Sequence, residues 1–315
     1  MYINKISHYI PDLRLDNFYF SQKTGLTPED LYKKAGINTR SKCSAGENSN
    51  TMSIKAIENC RGDYPFPLEE TDLIIGASYS PYDTVGTIAH AVQKHFQISG
   101  CKALQVSSAC SSYVNAIEII QGYYATSHID FSLVLATENN SAYNDESDPQ
   151  SGHLWGDAAT ATFISREKIG SKSLMIIDVM SEGLGHVGFG PDAVYMRPLD
   201  GGVKMPAGRD VFINAIQFMT MYVKNIVTKN GFSMDDLSYV VPHQANTRII
   251  YQIASNLNYN KEKILINIDK YGNTGCASTP LVLSENWEDF QFGDLIALTV
   301  FGGGYSAGAM LLRVV

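Results

Sequence analysis

The chain has 315 residues, 44% of them hydrophobic, which is enough to bury the core of one large α/β domain or of two packed halves. The formal net charge of −8 excludes the broad basic surface that nucleic-acid binding requires, so we expect no nucleic-acid partner. Five cysteines, an odd number without a CxxC pair, argue against a disulfide framework or a zinc ribbon, and we predict no metal and no cofactor.

The first residues of the chain are interrupted by polar and charged side chains before any long apolar stretch develops. Signal peptides and membrane-spanning helices both require such a stretch. We therefore expect a cytoplasmic protein that does not insert into a membrane.

The first half of the chain reads as alternating strands and helices. The hydrophobic pattern predicts strands over residues 72–78, 102–107 and 131–135 and a helix over 84–96. Cys110 falls between the second of these strands and an amphipathic helix, in the segment SSACSS over residues 107–112. This position, at a strand-to-helix turn, is typical of a nucleophile.

The surroundings of Cys110 distinguish it from the other cysteines. Small serine side chains flank it and let a substrate approach, and the amides that open the following helix favour a thiolate over a thiol. The alternative for any free cysteine is a small buried hydrophobe, and we assign that role to the other four: Cys43, Cys60, Cys101 and Cys276.

The second half of the chain repeats the order of the first. Strands are predicted over residues 237–241, 263–268 and 295–299, a helix over 246–258, and Asn273 lies in the loop before a further helix. From Cys110 to Glu138, and again from Asn273 to Phe301, the separation is 28 residues. Equal spacing indicates an internally duplicated α/β unit, with a boundary in the polar segment 166–173 that gives halves 1–168 and 169–315. Cys110 and Asn273 are then expected to face each other.

Two further polar residues follow predicted strands. His243 stands after Val-Val-Pro, where a buried strand ends, and Asn273 stands in YGNTG. A structural histidine and a turn asparagine in the left-handed conformation are the alternatives. The duplicated spacing favours a shared site for both residues with Cys110.

The segment FGGG over residues 301–304 follows another buried strand. Three glycines leave the backbone amides open to a ligand. A phosphate-binding loop is the alternative, but the Lys-Ser/Thr of a P-loop is missing, so an amide donor for an oxyanion is the better interpretation.

These motifs together (SACS around Cys110, PHQANTR around His243, GNTG around Asn273, and FGGG) resemble the β-ketoacyl-acyl carrier protein synthase III family over nearly the whole chain. The resemblance implies an α/β, thiolase-like fold that is internally duplicated, layered α-β-α-β-α and usually homodimeric. It also implies an acyltransferase: Cys110 takes an acyl group from a thioester. His243 and Asn273 then hold the carbonyl of a malonyl thioester as it loses carbon dioxide, and the carbanion attacks the acyl-cysteine.

The resemblance assigns further roles. The backbone amides of Cys110 and Gly303 become the oxyanion hole. Substrate and pantetheine contacts are expected at the following four positions: Asn246, Arg248, Phe301 and Val85. The expected partners are acyl carrier protein, coenzyme A thioesters, or both. Because acyl carrier protein is acidic, Arg248, Arg40 and Lys34 are expected to form a basic rim.

The chain departs from the family pattern in ways that leave alternatives open. Asp30 and Pro149 stand where the family commonly grips adenine with Trp and Arg, and Val85-Gly86 replaces a bulky residue before proline, which leaves room for a longer primer. A ketosynthase that joins two acyl or β-ketoacyl thioesters, as in dialkylresorcinol synthesis, is one alternative. In that branch Asp83 is expected to supply a carboxylate to the active site of the partner subunit. The simpler interpretation is that Asp83 is a residue of a surface turn.

Two other classes of protein share parts of the pattern. A papain-like protease also places His and then Asn after Cys, but its Cys-Gly-Ser-Cys-Trp signature is missing. A non-catalytic thiolase-fold scaffold is expected to have lost one of Cys110, His243 and Asn273, and all three are present.

Overall fold

The computed structural model describes residues 1–315. The strands, in chain order, are β1 (Tyr2–Tyr9), β2 (Leu13–Asp16), β3 (Thr39–Lys42), β4 (Leu73–Ala77), β5 (Lys102–Val106), β6 (Phe131–Glu138), β7 (Ala158–Ser165), β8 (Leu174–Gly183), β9 (Tyr195–Arg197), β10 (Gly202–Lys204), β11 (Tyr239–Pro242), β12 (Leu295–Gly302) and β13 (Ser306–Val314). The α-helices are α1 (Asn17–Thr24), α2 (Pro28–Ala35), α3 (Ser49–Glu58), α4 (Ile88–His95), α5 (Ser112–Thr126), α6 (Gly208–Lys229), α7 (Thr247–Leu257), α8 (Ile268–Tyr271) and α9 (Ser278–Glu285).

Nine strands form one hydrogen-bonded sheet in the order β11-β12-β13-β8-β1-β7-β6-β4-β5. Its two arms meet at β1 and β8, which pair only at Tyr2–Met175 and Ile3–Leu174. In the first arm β4 runs parallel to β5 and β6, and β6 is antiparallel to β7. In the second arm β11 runs parallel to β12, which is antiparallel to β13. The order β1-β7-β6-β4 in the first arm therefore matches β8-β13-β12-β11 in the second, and β5 is an additional strand at the end of the first arm.

Most of the apolar core lies in three large clusters, which correspond to three helical layers. The largest cluster joins α5 and α9 to the inner faces of both arms, and includes Ile75 and Leu298. A second cluster covers the outer face of the second arm with α6 and α7, and a third covers the outer face of the first arm with α3 and α4. The predicted α-β-α-β-α layering of an α/β chain is confirmed.

The predicted strand over residues 263–268 is wrong. Only Ile264 forms a bridge, to Val240, and the chain then turns into α8. The side chain of Gln244 supplies the bonds that a neighbouring strand would make, because its Oε1 accepts from the Asn267 amide at 3.0 Å and its Nε2 donates to the Leu265 carbonyl at 3.4 Å.

The predicted helix over residues 84–96 begins later than expected, at Ile88. The preceding residues form a surface loop in which Asp83 Oδ1 accepts from the Val85 amide at 2.7 Å. This local bond holds the backbone in a turn that competes with the helix.

None of the helices combines the length and the apolar character that crossing a bilayer requires.

Candidate active site

The candidate site lies where parallel strands of both arms end. The carboxyl ends of β4 and β5 in one arm, and of β11 and β12 in the other, open onto one cavity of about 760 Å³. Ligands of α/β proteins bind at such strand ends because the loops that follow the strands meet there. The cavity is lined by Cys110, His243, Asn273 and Gly303, so the tertiary structure brings these four sequence-predicted residues together.

A strained turn presents Cys110 to this cavity. Ala109, directly before it, adopts φ of +51°, a left-handed conformation that is rare for a residue with a side chain and is common at functional turns. The turn is closed by Ser111 Oγ, which donates to the Ser108 carbonyl at 2.6 Å, and by Ser112 Oγ, which accepts from the Ser108 amide at 2.9 Å. The flanking serines therefore hold the turn that aims the sulfur.

Glycine at position 302 lets the end of β12 approach that turn. A Cβ atom there would lie 2.8 Å from the Ser108 carbonyl oxygen and 2.9 Å from the Cys110 nitrogen. Such distances are shorter than real Cβ contacts, so only glycine fits. This close approach brings the following Gly303 amide to the side of Cys110, where it acts to lower the pKa of the thiol.

The electrostatic environment of Cys110 differs from the sequence-based expectation of a thiolate. Burial, and then the Glu138 carboxylate, raise the pKa of Cys110 to about 12, although the amides of Gly303 and Cys110 itself act in the opposite direction. The amides favour the thiolate as expected, but burial, and then the buried Glu138 at the end of β6, outweigh them; neither was included in the sequence-based expectation. The sulfur of the free protein is a thiol at neutral pH.

We expect the rate of Cys110 alkylation by iodoacetamide to rise about tenfold per pH unit and to keep rising at pH 10. The thiolate is the reactive form, and a pKa raised to about 12 keeps it a small fraction of the total until well above neutral pH. An ordinary thiol, with a pKa of about 8.5, levels off above pH 9. Peptide mapping by mass spectrometry measures the rate at Cys110 alone, and a plateau between pH 7 and 9 would contradict the raised pKa.

His243 directly follows β11 and is 2% exposed. Its backbone amide donates to the Thr299 carbonyl at 2.8 Å, and its Nδ1 lies 2.8 Å from the hydroxyl oxygen of Ser278 at the start of α9. Burial lowers the pKa of His243 to about 4, so the imidazole is neutral at pH 7. Since the protein engages only Nδ1, Nε2 is left for a ligand in the cavity.

Asn273 is held by both its backbone and its side chain. Its amide donates to the Leu154 carbonyl at 2.8 Å, and its carbonyl accepts from the Gly156 amide at 2.9 Å. Its Oδ1 accepts from the Gly275 amide at 2.9 Å, which fixes the side-chain rotamer and leaves Nδ2 as a free donor. A neutral imidazole and a carboxamide therefore each present a nitrogen atom to the same cavity.

The other predicted binding residues divide into two groups. Asn246 and Phe301 line the cavity; Asn246 also caps α7, since its Oδ1 accepts from the Arg248 amide at 2.9 Å. Arg248 and Val85 do not line it. Arg248 is exposed at the rim, with its guanidinium 5.5 Å from the ring centre of Phe212, a lining residue, and Val85 is 84% exposed on the surface loop before α4.

Arg40 was expected at a basic rim, and this is wrong. It is 1% exposed, donates from Nε to the His153 carbonyl at 2.6 Å, and lies over the ring of Phe20. Other basic side chains do lie at the mouth of the cavity. Lys34 and Arg209 are exposed there, beside Arg248.

Sequence reasoning missed Tyr79, Glu138 and Ser278. Tyr79 follows β4 and lines the cavity, where its hydroxyl donates to Asn140 Oδ1 at 2.8 Å. Glu138, at the end of β6, is fully buried, and its burial raises its pKa to about 7. The sequence did contain a signal for Glu138, because the repeated separation of 28 residues ends at this residue in the first half. In the sequence analysis that separation was used only to place a strand.

Comparisons with known proteins agree with this geometry. Residues 104–183 match the family model described as 3-oxoacyl-[acyl-carrier-protein (ACP)] synthase III, and residues 227–314 match the model of its C-terminal part. The β-ketoacyl-[acyl-carrier-protein] synthase III of Aquifex aeolicus is 31% identical over 307 residues, which covers 97% of this chain and 96% of that protein. The enzyme of the same name from Acholeplasma laidlawii is 30% identical, with coverage of 97% and 96%.

Solved structures give the same result for the fold. The crystal structure of 3-oxoacyl-[acyl-carrier-protein] synthase III from Aquifex aeolicus superposes with a TM-score of 0.91 and 31% identity, covering 99% of both chains. The priming β-ketosynthase of the R1128 polyketide pathway has a TM-score of 0.89 at 22% identity, with coverage of 99% and 95%, and is similar in fold.

Proposed function

The chain belongs to the β-ketoacyl-[acyl-carrier-protein] synthase III family and is a condensing acyltransferase, and from this premise we propose that Cys110 carries the acyl group between two half-reactions. The observation that carries the assignment is the shared cavity, in which Cys110, His243 and Asn273 come from loops after β5, after β11 and before α9. The condensing function is favoured over both a ketosynthase of the dialkylresorcinol type and a non-catalytic scaffold.

In the first half-reaction we propose that the sulfur of Cys110 attacks the carbonyl carbon of an acyl thioester. The carbonyl oxygen becomes negative, and the amides of Cys110 and Gly303, which approach the sulfur, are placed to stabilise that charge. The thioester then releases its own thiol, which receives the proton that Cys110 gives up. The product is an acyl group on Cys110.

In the second half-reaction a malonyl thioester replaces the departed thiol. We propose that His243 Nε2 and Asn273 Nδ2 donate to its thioester oxygen while the malonyl carboxylate leaves as carbon dioxide. The negative charge that develops on that oxygen is stabilised by two neutral donors. The carbanion attacks the carbonyl carbon of the acyl-cysteine. A carbon–carbon bond forms, the carbon–sulfur bond to Cys110 breaks, and the sulfur takes up a proton from water to regenerate the thiol.

The remainder of the cavity supports the proposal of a pantetheine-linked substrate. A wall of apolar side chains extends from Phe301 along α6 and the hairpin of β9 and β10, and includes Phe212, Met205 and Ile249. Exposed Lys34 and Arg209 at the mouth, with Arg248 beside them, form the local cationic surface that an acidic acyl carrier protein needs. Acyl carrier protein, with or without coenzyme A thioesters, remains the proposed partner.

We also propose that two copies of the chain pair through β5. This strand is one end of the nine-stranded sheet, so its outer edge carries unpaired backbone groups, and Leu104 and Val106 are only half-buried. Unprotected edge strands of this kind pair readily with another strand. Val85 is exposed on the loop before α4 and is then available to the cavity of a partner subunit. For Asp83 we propose only the role of a surface turn residue.

The two halves 1–168 and 169–315 remain our proposed division of the chain. The equal strand order of the two arms supports it. The cytoplasm remains the proposed location.

We expect the purified protein to convert an acyl thioester and malonyl-acyl carrier protein into a 3-oxoacyl product two carbons longer. One carbon dioxide is released per product, because each condensation consumes one malonyl group. Mass spectrometry of the products, with a panel of acyl-coenzyme A and acyl-carrier primers, measures both the reaction and the preferred primer. Carbon dioxide release without a new carbon–carbon bond, for every primer in the panel, would contradict the proposed function.

A further inference from the structure

Ser278 contacts His243 on the side away from the cavity. It is the first residue of α9 and is 1% exposed, and its Oγ lies 2.8 Å from His243 Nδ1. The same Oγ also accepts from the backbone amide of Gln244 at 3.4 Å. These are the two hydrogen bonds of the Ser278 hydroxyl, and both lead to the segment that carries His243.

The number of protons available sets the direction of the bond between Ser278 and His243. A hydroxyl has one proton and two lone pairs. The backbone amide nitrogen of Gln244 can only donate a hydrogen bond, so Oγ of Ser278 is the acceptor in that bond. One lone pair of Oγ is used in this way. If Oγ also accepted from Nδ1, the buried hydroxyl proton of Ser278 would have no partner, so we infer that this proton is donated to the lone pair of His243 Nδ1.

An acceptor at Nδ1 determines where the imidazole carries its proton. A neutral imidazole has one protonated and one unprotonated nitrogen, and the bond made by one nitrogen sets the state of the other. The imidazole of His243 is neutral at pH 7, because burial lowers its pKa. Nε2, the nitrogen left for a ligand in the cavity, therefore carries the proton.

We propose that Ser278 is a positioning residue that holds His243 in the tautomer protonated at Nε2, through the buried 2.8 Å contact with Nδ1. The inference rests on the proposed function, in which Nε2 must donate to the thioester oxygen during decarboxylation. The opposite tautomer would place a lone pair against that oxygen and repel the developing charge. Ser278 thus acts on the reaction through His243 and does not touch the substrate.

The tautomer is measured directly by NMR of the protein labelled with ¹⁵N-histidine. The two-bond couplings of each ring report which nitrogen is protonated, and the signals of His243, one of seven histidines, are those missing from His243→Gln. At pH 7 we expect His243 of the unsubstituted protein to be protonated at Nε2. In Ser278→Ala we expect a mixture of tautomers or the one protonated at Nδ1.

The kinetic test is carbon dioxide release from malonyl-acyl carrier protein. We expect Ser278→Ala to lower kcat about 10- to 100-fold, less than loss of the donor itself because part of the His243 population keeps the proton at Nε2. KM should change little, since the tautomer matters only when charge develops. Ser278→Thr keeps the hydroxyl and is expected to restore most of the rate. The matched control is Thr279→Val, which removes a neighbouring buried hydroxyl that has no hydrogen-bond partner and should leave the rate unchanged.

Two results would overturn the proposal: protonation of His243 at Nδ1 in the unsubstituted protein, or unchanged carbon dioxide release by a folded Ser278→Ala variant. The NMR measurement needs neither substrate nor turnover. It therefore determines the tautomer even if Ser278→Ala fails to fold. If the unsubstituted protein releases no carbon dioxide, that result refutes the proposed function, and the NMR measurement still tests the role of Ser278.

Discussion

Cys110→Ala is expected to form no acyl adduct and to lose condensation by at least about 1,000-fold, because a covalent intermediate requires the sulfur. No second thiol can substitute. Cys276 is buried outside the cavity lining, its sulfur contacts the Ala77 carbonyl oxygen at 3.1 Å, and burial raises its pKa far above that of an ordinary thiol. Intact-protein mass spectrometry after incubation with acyl thioesters measures the adduct.

The matched control for this experiment is Cys276→Ala, which removes a buried thiol and leaves the nucleophile in place. It should gain the acyl mass as the unsubstituted protein does. Cys110→Ala is further expected to keep releasing carbon dioxide from malonyl-acyl carrier protein, because His243 and Asn273 are intact. An adduct of equal extent on Cys110→Ala would remove the nucleophile assignment.

His243→Ala and Asn273→Ala are each expected to lower carbon dioxide release from malonyl-acyl carrier protein by about 100- to 1,000-fold. Each removes one of the two proposed donors to the oxygen on which negative charge develops. Acylation of Cys110 should persist at a reduced rate, since the oxyanion donors proposed for that step are the amides of Cys110 and Gly303. Measuring adduct formation and carbon dioxide release on the same samples separates the two half-reactions.

Asn273 also holds the Gly275 amide, so the alanine variant loses a structural bond as well as a donor. Asn273→Asp keeps an oxygen for that amide, replaces the Nδ2 donor with a second oxygen and introduces an ionisable carboxyl group. We expect it to decarboxylate as poorly as Asn273→Ala. The double variant of His243 and Asn273 should lose less than the product of the single losses, because residues that act as a unit are not additive. Normal decarboxylation by both single variants would refute their role.

Local sequence patterns were sufficient to predict the elements that carry the site. The small residues around Cys110, the proline before His243 and the glycines around Asn273 each lie at the end of a buried strand or in a turn, and such positions leave a strong pattern over a few residues. The repeated spacing then predicted that the two halves bring these residues together, and they do line one cavity.

Element boundaries were predicted less well where a side chain competes with the backbone. Residues 263–268 have the apolar pattern of a strand, but Gln244, about twenty residues earlier, takes the hydrogen bonds that a strand would need. Asp83 similarly delays the start of α4. Hydrophobic periodicity does not record such bonds, because they join side chain to backbone across the fold.

The sequence by itself predicted the repeated α/β order, the turn at Cys110 and the cavity positions of His243 and Asn273, because periodicity and turn chemistry are properties of neighbouring residues. Only the tertiary structure decided the charge state of the site. Glu138 and burial together raise the pKa of Cys110, burial lowers the pKa of His243, and Ser278 contacts Nδ1 from a different element. Burial and electrostatic interactions depend on distance in space, and residues far apart in the chain supply them here.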